Sequence, residues 1–368
     1  MASYIHNLSI GQYRGINSMV ISDLNNINLI VGDNNSGKTT LLETVFLLRS
    51  PDSFGNVLNT AKLRTSGFFA SATPYENLMS VFPKCSNQIF VQADGTFGNV
   101  SLKVVGEEIM TEVGEEDIKN HHVSMRYTGS RDIIGSEITA FVGSLYSSMN
   151  ANREELPIRF TAISRNYSPI LNRKFINIEY LSPISHITEN TFNRIVRMDG
   201  YKQICIELIR LFDPQIEDLV YMRNELTGRA VEYIKSKKLG LMPLSTYGDG
   251  IKKVLSLANA IIESAGGILL IDEIDTSIHY KYYEDIFSFL IKACMKFDVQ
   301  VFITTHSKEA IDEILKTQNY DEQQKDKFAD PINVITFRKD DNGNIRSRSM
   351  SGFDVHSNRE LFDFEVRL

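Results

Sequence analysis

An α/β fold with a parallel core sheet and an antiparallel β-subdomain follows from three observations. A complete phosphate-loop motif, Gly32-Asp-Asn-Asn-Ser-Gly-Lys-Thr39, directly follows the apolar run Asn28-Leu29-Ile30-Val31. Two more apolar runs, Gly267–Ile271 and Gln300–Thr304, each end in polar residues and alternate with helical patterns, as a parallel sheet covered on both faces requires. Short β-like runs divided by turn residues occupy much of the stretch between them, the pattern of an antiparallel subdomain.

Taken in order, residues 4–31 read as two strands, Tyr4–Tyr13 and then Met19–Ile21 leading into Asn28–Val31. The run Thr39–Phe46 reads as the helix that opens on the phosphate loop. Residues 50–80 are rich in Ser, Asn, Thr and Gly and are expected to contain loops. Gln88–Ala93, Val100–Val105 and Val123–Tyr127 are expected strands, with Asp94-Gly95, Gly106 and Gly114 at the turns. Residues 130–175 carry no decisive pattern. Phe175–Leu181 reads as a strand and Glu189–Phe212 as one or two helices ending at Asp213-Pro214. Ile216–Met222 and Ala230–Lys235 are strand-like. Val254, Leu255, Leu257, Ala258, Ile261 and Ile262 fall at helical spacing within Gly250–Ser264, and Tyr280–Lys296 reads as another helix. Asp321–Asp330 is a short polar loop, and the absence of sustained heptads argues against a long coiled-coil arm.

Bulk properties narrow the function. The chain has 368 residues, 42% apolar and 23% charged, an ordinary globular balance. A net charge of −7 gives no global attraction to nucleic acid, so any such contact would need a local basic patch. Arg223, Arg229, Lys235, Lys237 and Lys238, then Arg338, Lys339, Arg346 and Arg348, are read as solvated faces. Cys85, Cys205 and Cys294 are far apart and show no C-x-x-C spacing, which fits buried thiols in a reducing compartment. Met1–Ile10 lacks a charged segment followed by a long apolar one, and no apolar run reaches the ~20 residues of a membrane span. A cytoplasmic protein with no membrane partner is expected.

The motifs specify chemistry. In the phosphate loop, Gly32, Asn34, Asn35, Ser36 and Gly37 allow successive N–H groups to curl around a polyphosphate at a helix N-terminus. Lys38 reaches the β- and γ-phosphates, the Thr39 hydroxyl is placed to hold Mg²⁺, and Thr40 continues the first turn. The expected ligands are a nucleoside triphosphate, ATP in first place, and Mg²⁺. A guanine-reading Asn-Lys-x-Asp motif is missing, which disfavours GTP regulation. The strand Gly267-Ile-Leu-Leu-Ile-Asp272-Glu273 delivers two carboxylates to the sheet edge where a phosphate loop also lies. Asp272 is the candidate metal-orienting group and Glu273 the candidate general base. The strand Val301-Phe-Ile-Thr-Thr-His306-Ser307 places His306 where it can contact a γ-phosphate. Lys38, Glu273 and His306 are the candidate catalytic residues.

Together these three motifs resemble an ABC-type ATPase. Ile10-Gly-Gln-Tyr-Arg14-Gly-Ile resembles the N-terminal strand of RecF-like, SMC-like and OLD-like proteins, and Asp272-Glu-Ile-Asp-Thr-Ser-Ile-His279 resembles an element of OLD-like ATPases. The resemblance covers residues 1–50 and 240–310 well and the middle poorly. It implies one ABC-type ATPase domain over residues 1–368. Residues 1–50 and 240–368 would form the nucleotide-binding core, and 51–235 the β-subdomain, an insertion and the helical subdomain. It also implies a signature segment that one subunit presents to its partner's ATP. The candidate is Leu244-Ser245-Thr-Tyr-Gly248-Asp249-Gly250, with Ser245 and Gly248 both open for the place of the signature serine and Gly250 at the following helix. No glutamine stands out for the loop that senses the γ-phosphate; Gln88, Gln92 and Tyr180-Leu181-Ser182-Pro183 are the neighbourhoods considered.

The class further implies a homodimer or higher homo-oligomer joined through ATP. No Glu and Asp-x-Asp pattern of a TOPRIM nuclease follows His306, so a nuclease or other effector would come from a separate chain. The reading is an ATP-gated clamp that controls such an effector, in bacterial anti-phage defence. The alternative is a RecF/SMC-like DNA repair ATPase, against which the acidic charge argues. A transporter ATPase subunit fits the long middle segment and atypical signature less well.

Overall fold

The computed structural model describes residues 3–64, 72–83, 86–115, 117, 134–164, 174–188, 191–223, 228, 230–318, 320, 330–340 and 343–362. Its centre is a six-stranded sheet. β3 (Ile27–Gly32) lies between β13 (Gln300–Thr305) and β14 (Ile332–Lys339). Beyond β13 come β12 (Ile268–Ile271) and β8 (Ile178–Leu181), and beyond β14 comes β15 (Ile345–Ser351). Every pairing is parallel except β14 with β15. β3, β12 and β13 are buried at every position, because both faces are covered.

Side chains alternate between two cores across this sheet. Leu29, Val31, Leu269, Ile271, Val301 and Ile303 point into one. There they meet α5 (Asp199–Ile209), α6 (Asp249–Glu263), α7 (Tyr283–Lys296) and α8 (Lys308–Lys316). Ile30, Ile268, Leu270, Phe302, Ile335 and Phe337 point into the other, with α1 (Lys38–Leu47) and an antiparallel sheet. That second sheet runs β2 (Ile16–Ile21), β1 (Ile5–Tyr13), β4 (Gln88–Gly95), β5 (Gly98–Glu112), β6 (Glu137–Met149) and β7 (Asn152–Thr161). A three-stranded antiparallel sheet, β9 (Ile216–Arg223), β10 (Ala230–Ser236) and β11 (Gly240–Pro243), leads into the turn before α6. The buried Gln300 side chain ties the core sheet to β1, accepting from Ile5 N–H and donating to the Ile5 and Asn25 carbonyls.

Several sequence expectations need correction. The second expected strand is two strands in different sheets: β2 pairs back on β1, and a left-handed turn at Asp23 (φ 58°) releases the chain into β3. The stretch 50–80 is not only loop. It holds α2 (Phe54–Lys62), capped by Ser53 and burying Phe54, Val57, Leu58 and Ala61 at helical spacing. It also holds α3 (Pro74–Met79), opened by a Thr73–Glu76 capping box. Polar composition hid two capped amphipathic helices. Within 130–175 lies the hairpin of β6 and β7. Among the described residues of Glu189–Phe212 only α5 is α-helical, preceded by a single tight turn at Ile195–Arg197. The short α4 (Ser185–Thr188) lies before that stretch, just beyond β8. β8, although within 51–235, belongs to the core sheet, while β1 and β2 belong to the antiparallel one. Val123–Tyr127, residues 321–329, Cys85 and Arg229 lie outside the described residues. Cys205 and Cys294 are buried thiols, their pKa pushed up to about 12 by burial. Among the described residues no helix is long and apolar enough to cross a membrane.

Candidate active site

The site forms where β3, β12 and β13 end together. β3 runs into the phosphate loop and α1; β12 delivers Asp272 and Glu273; β13 delivers Thr304 and Thr305. Sequence forces the tight backbone here. Gly32 has φ +149° and an added Cβ would lie 2.5 Å from the Phe337 carbonyl oxygen; Gly37 has φ +104° and its Cβ would meet Ile345 Cδ1 at 2.8 Å. Asn35 adopts φ +62°, a left-handed conformation that Asn tolerates. Ser36 Oγ is buried with no hydrogen-bond partner among the described residues. An orphaned hydroxyl in a loop shaped for an anion fits a polyphosphate.

Lys38 is buried, and its ammonium donates to the carbonyls of Gly32 at 2.7 Å and Asp33 at 2.8 Å. Burial lowers its pKa, opposed by the charges of Asp272, Glu273, Asp33 and Asp275. Thr39 Oγ1 lies 2.9 and 3.2 Å from the two Asp272 oxygens, so hydroxyl and carboxylate share one point despite their distance in sequence. Two oxygens from Thr39 and Asp272 suit Mg²⁺, which keeps its remaining positions for phosphate and water. Mg²⁺ bound there would neutralise charge on the β- and γ-phosphates.

Asp272 is held by four neighbours. Its N–H donates to Leu181 O at 2.9 Å; Thr304 Oγ1 donates to Oδ1 at 2.6 Å; Tyr180 OH donates to Oδ2 at 3.0 Å; Thr39 completes the set. Burial, then the Asp272 charge, push the Tyr180 pKa far up, so the phenol stays a donor. Thr304 Oγ1 also accepts the Glu273 N–H at 2.8 Å, fixing that residue in a left-handed conformation (φ +49°). Thr276 Oγ1 lies 3.3 Å from Glu273 Oε2. Glu273 is therefore half-buried, strained and aimed by its neighbours, as a positioned base needs.

His306 sits next to this group but is about half exposed, with Nε2 3.8 Å from Asp275 Oδ2. Asp275 also accepts from Thr305 Oγ1 at 2.5 Å. Asn34 is exposed at the loop tip, and Thr40 Oγ1 accepts from Arg64 Nη2 at 2.8 Å. Behind the loop, fully buried Glu43 on α1 is bonded by both Arg14, from the β1–β2 turn, and Arg64, just beyond α2. The signature candidates stand apart from this cluster. Ser245 is exposed in the turn Leu244–Thr246, and Gly248 is exposed as the N-cap of α6. Gly250 is needed for packing, since a Cβ there would lie 2.9 Å from Phe212 Cε1 and 3.3 Å from the Ser277 carbonyl. Sequence reasoning missed Thr304, Glu43 and Arg64, and named Tyr180 only as part of a neighbourhood. Gln88 and Gln92 lie on β4, outside the core sheet.

Residues 134–312, which include both carboxylates and His306, match a family described as "AAA domain, putative AbiEii toxin, Type IV TA system". The chain is 22% identical over 363 residues to an "ATP/GTP phosphatase" of Helicobacter pylori (strain ATCC 700392 / 26695), covering 87% of this chain and 91% of that one. These matches support an ABC-type ATPase domain in this chain. The domain is also 24% identical over 352 residues to the DNA replication and repair protein RecF of Geobacter sp. (strain M21), covering 83% of this chain and 93% of the relative. RecF of Idiomarina loihiensis (strain ATCC BAA-735 / DSM 15497 / L2-TR) is 39% identical over 108 residues, 29% of this chain and 27% of that one. Among solved structures, an SMC head bound to the C-winged helix domain of ScpA has a TM-score of 0.48 at 14% identity, covering 95% of this chain and 98% of that chain. The SMC head domain from Thermotoga maritima has 0.42 at 16%, covering 95% and 99%.

Proposed function

We propose that this ATPase domain is a clamp closed by Mg·ATP, in which two copies meet face to face across two nucleotides. The observation that carries the reading is the Thr39–Asp272 hydrogen bond, which joins the phosphate loop to the carboxylate strand with Glu273 one residue on. Lys38 turns from the Gly32 and Asp33 carbonyls to the β- and γ-phosphates. Ser36 and the loop N–H groups take the remaining phosphate oxygens. Thr39 and Asp272 hold Mg²⁺. Glu273 accepts a proton from the attacking water as general base, and His306 donates to the γ-phosphate. The exposed Ser245 and Gly248, at the N-terminus of α6, are presented to the partner's nucleotide, where the helix dipole favours negative charge. Hydrolysis then opens the pair.

The clamp controls a separate effector, such as a nuclease, in bacterial anti-phage defence; the family description naming a toxin system supports this setting. Similarity to RecF over most of the chain supports a second reading, a DNA repair ATPase. Turnover of ATP by the purified chain, and its loss in Glu273→Gln, tests the chemistry. Salt-sensitive binding of duplex DNA by the ATP-bound form would favour the second reading, and no binding at low salt the first.

A further inference from the structure

A lysine is among the largest fully buried side chains, and nothing in the mechanism above uses it. Lys253 is 0% exposed, in the second turn of α6, one helical turn past Gly250. A buried ammonium is rare unless partnered, because desolvation is costly. Its Nζ lies 3.5 Å from the Pro183 carbonyl oxygen, two residues beyond β8. The carboxylates that favour its charged form are Asp272, Asp275 and Glu273. The same three carboxylates act on Lys38. Lys253 on α6 therefore lies within the electrostatic reach of the same acidic edge as Lys38 on α1. The connection also runs through the backbone: Leu181 O holds the Asp272 N–H, and Tyr180 on the same strand holds its side chain. His186, buried on α4 where it packs against α6, is the other titratable group beside Lys253, with Asp249 and Lys252 at the helix start.

We propose that Lys253 is a positioning residue for hydrolysis: a buried cation that locks the start of α6, and so residues 248–250, to the turn after β8, the strand that holds Asp272. The inference rests on the clamp reading. When the signature end of α6 is pressed against a partner's nucleotide, Lys253 transmits its position to Asp272 and Glu273. An apolar side chain of the same length would fill the space but make no such link. Lys253 is fully buried, so its loss is expected to affect turnover and not nucleotide capture.

The test uses the full chain as wild type, Lys253→Met, Lys253→Gln and Lys253→Arg, with steady-state ATP hydrolysis and binding of a fluorescent ATP analogue in Mg²⁺. Lys253→Met is expected to lower kcat about 10- to 100-fold, the usual effect of losing a group behind a metal site. KM and analogue affinity should stay within about threefold, and Lys253→Arg should recover most of the turnover. Should Lys253→Met fail to melt cooperatively, Lys253→Gln is read by the same criteria. Turnover within about twofold of wild type, loss of affinity in step with turnover, or an Arg variant no better than Met would overturn the inference alone. A wild type that binds the analogue but never hydrolyses ATP overturns the hydrolytic reading, and the inference with it.

Discussion

Replacing Lys253 by Met should make the nucleotide-free protein more stable while making it a poorer enzyme. The cause is the buried ammonium: burial lowers its pKa from 10.5 to about 8 despite the attraction of Asp272, Asp275 and Glu273. That depression corresponds to about 3 kcal/mol of destabilisation at pH 7, relative to a neutral side chain. Between pH 8 and 10.5 the unfolded chain still holds the lysine proton and the folded chain has lost it, so wild-type stability rises with pH across that window. The deficit is fully present below the folded pKa and disappears above the unfolded one. Urea denaturation of wild type and Lys253→Met at about pH 7 and pH 9.5 checks this: the variant should lead by about 3 kcal/mol at the lower pH and about 1 kcal/mol at the higher. In thermal melts at neutral pH the lead is about 4 °C for a chain of this size. A variant less stable than wild type, or a gap that ignores pH, would contradict a lysine buried at net cost.

Three further outcomes are expected. Tyr180→Phe removes the hydroxyl donated to Asp272 Oδ2 and should lower ATP turnover about tenfold with little change in melting temperature; unaltered turnover at saturating Mg²⁺ would show that the phenol has no part in holding the carboxylate. Glu43→Gln neutralises the fully buried partner of Arg14 and Arg64, and should destabilise by about 3 kcal/mol in chemical denaturation. The lower end of the range applies because Arg64 is 40% exposed and partly solvated. Gly37→Ala places a Cβ at φ +104° and 2.8 Å from Ile345 Cδ1, and should abolish titratable binding of a fluorescent ATP analogue while the folded core still melts cooperatively.

The parts of this fold visible in the sequence are those with one dominant signal. The phosphate loop is local: its glycines, lysine and threonine have fixed spacing, and the strand before it is apolar throughout because both faces are covered. Asp272-Glu273 and Thr304-Thr305-His306 likewise end apolar runs. The helices at 54–62 and 74–79 were hidden because their stabilising features are single capping residues, Ser53 and Thr73, within a polar stretch. β14 and β15 were missed although Ile332, Val334, Ile335 and Phe337 are buried, since no motif drew attention to them. Tyr180 was visible only as part of a neighbourhood, and Lys253 not at all. What distinguishes them is contact across long stretches of chain, Tyr180 with Asp272 and Lys253 with the Pro183 carbonyl, and the sequence around each looks like an ordinary strand or amphipathic helix.

Whether two copies close on ATP is decided by the mass of Glu273→Gln protein on a sizing column coupled to light scattering, with and without Mg·ATP. Removing the base while leaving Lys38, Thr39 and Asp272 in place should hold the nucleotide unhydrolysed and double the mass from the monomer's 41.8 kDa. A variant that binds Mg·ATP yet keeps the same mass at saturation would contradict an ATP-closed pair.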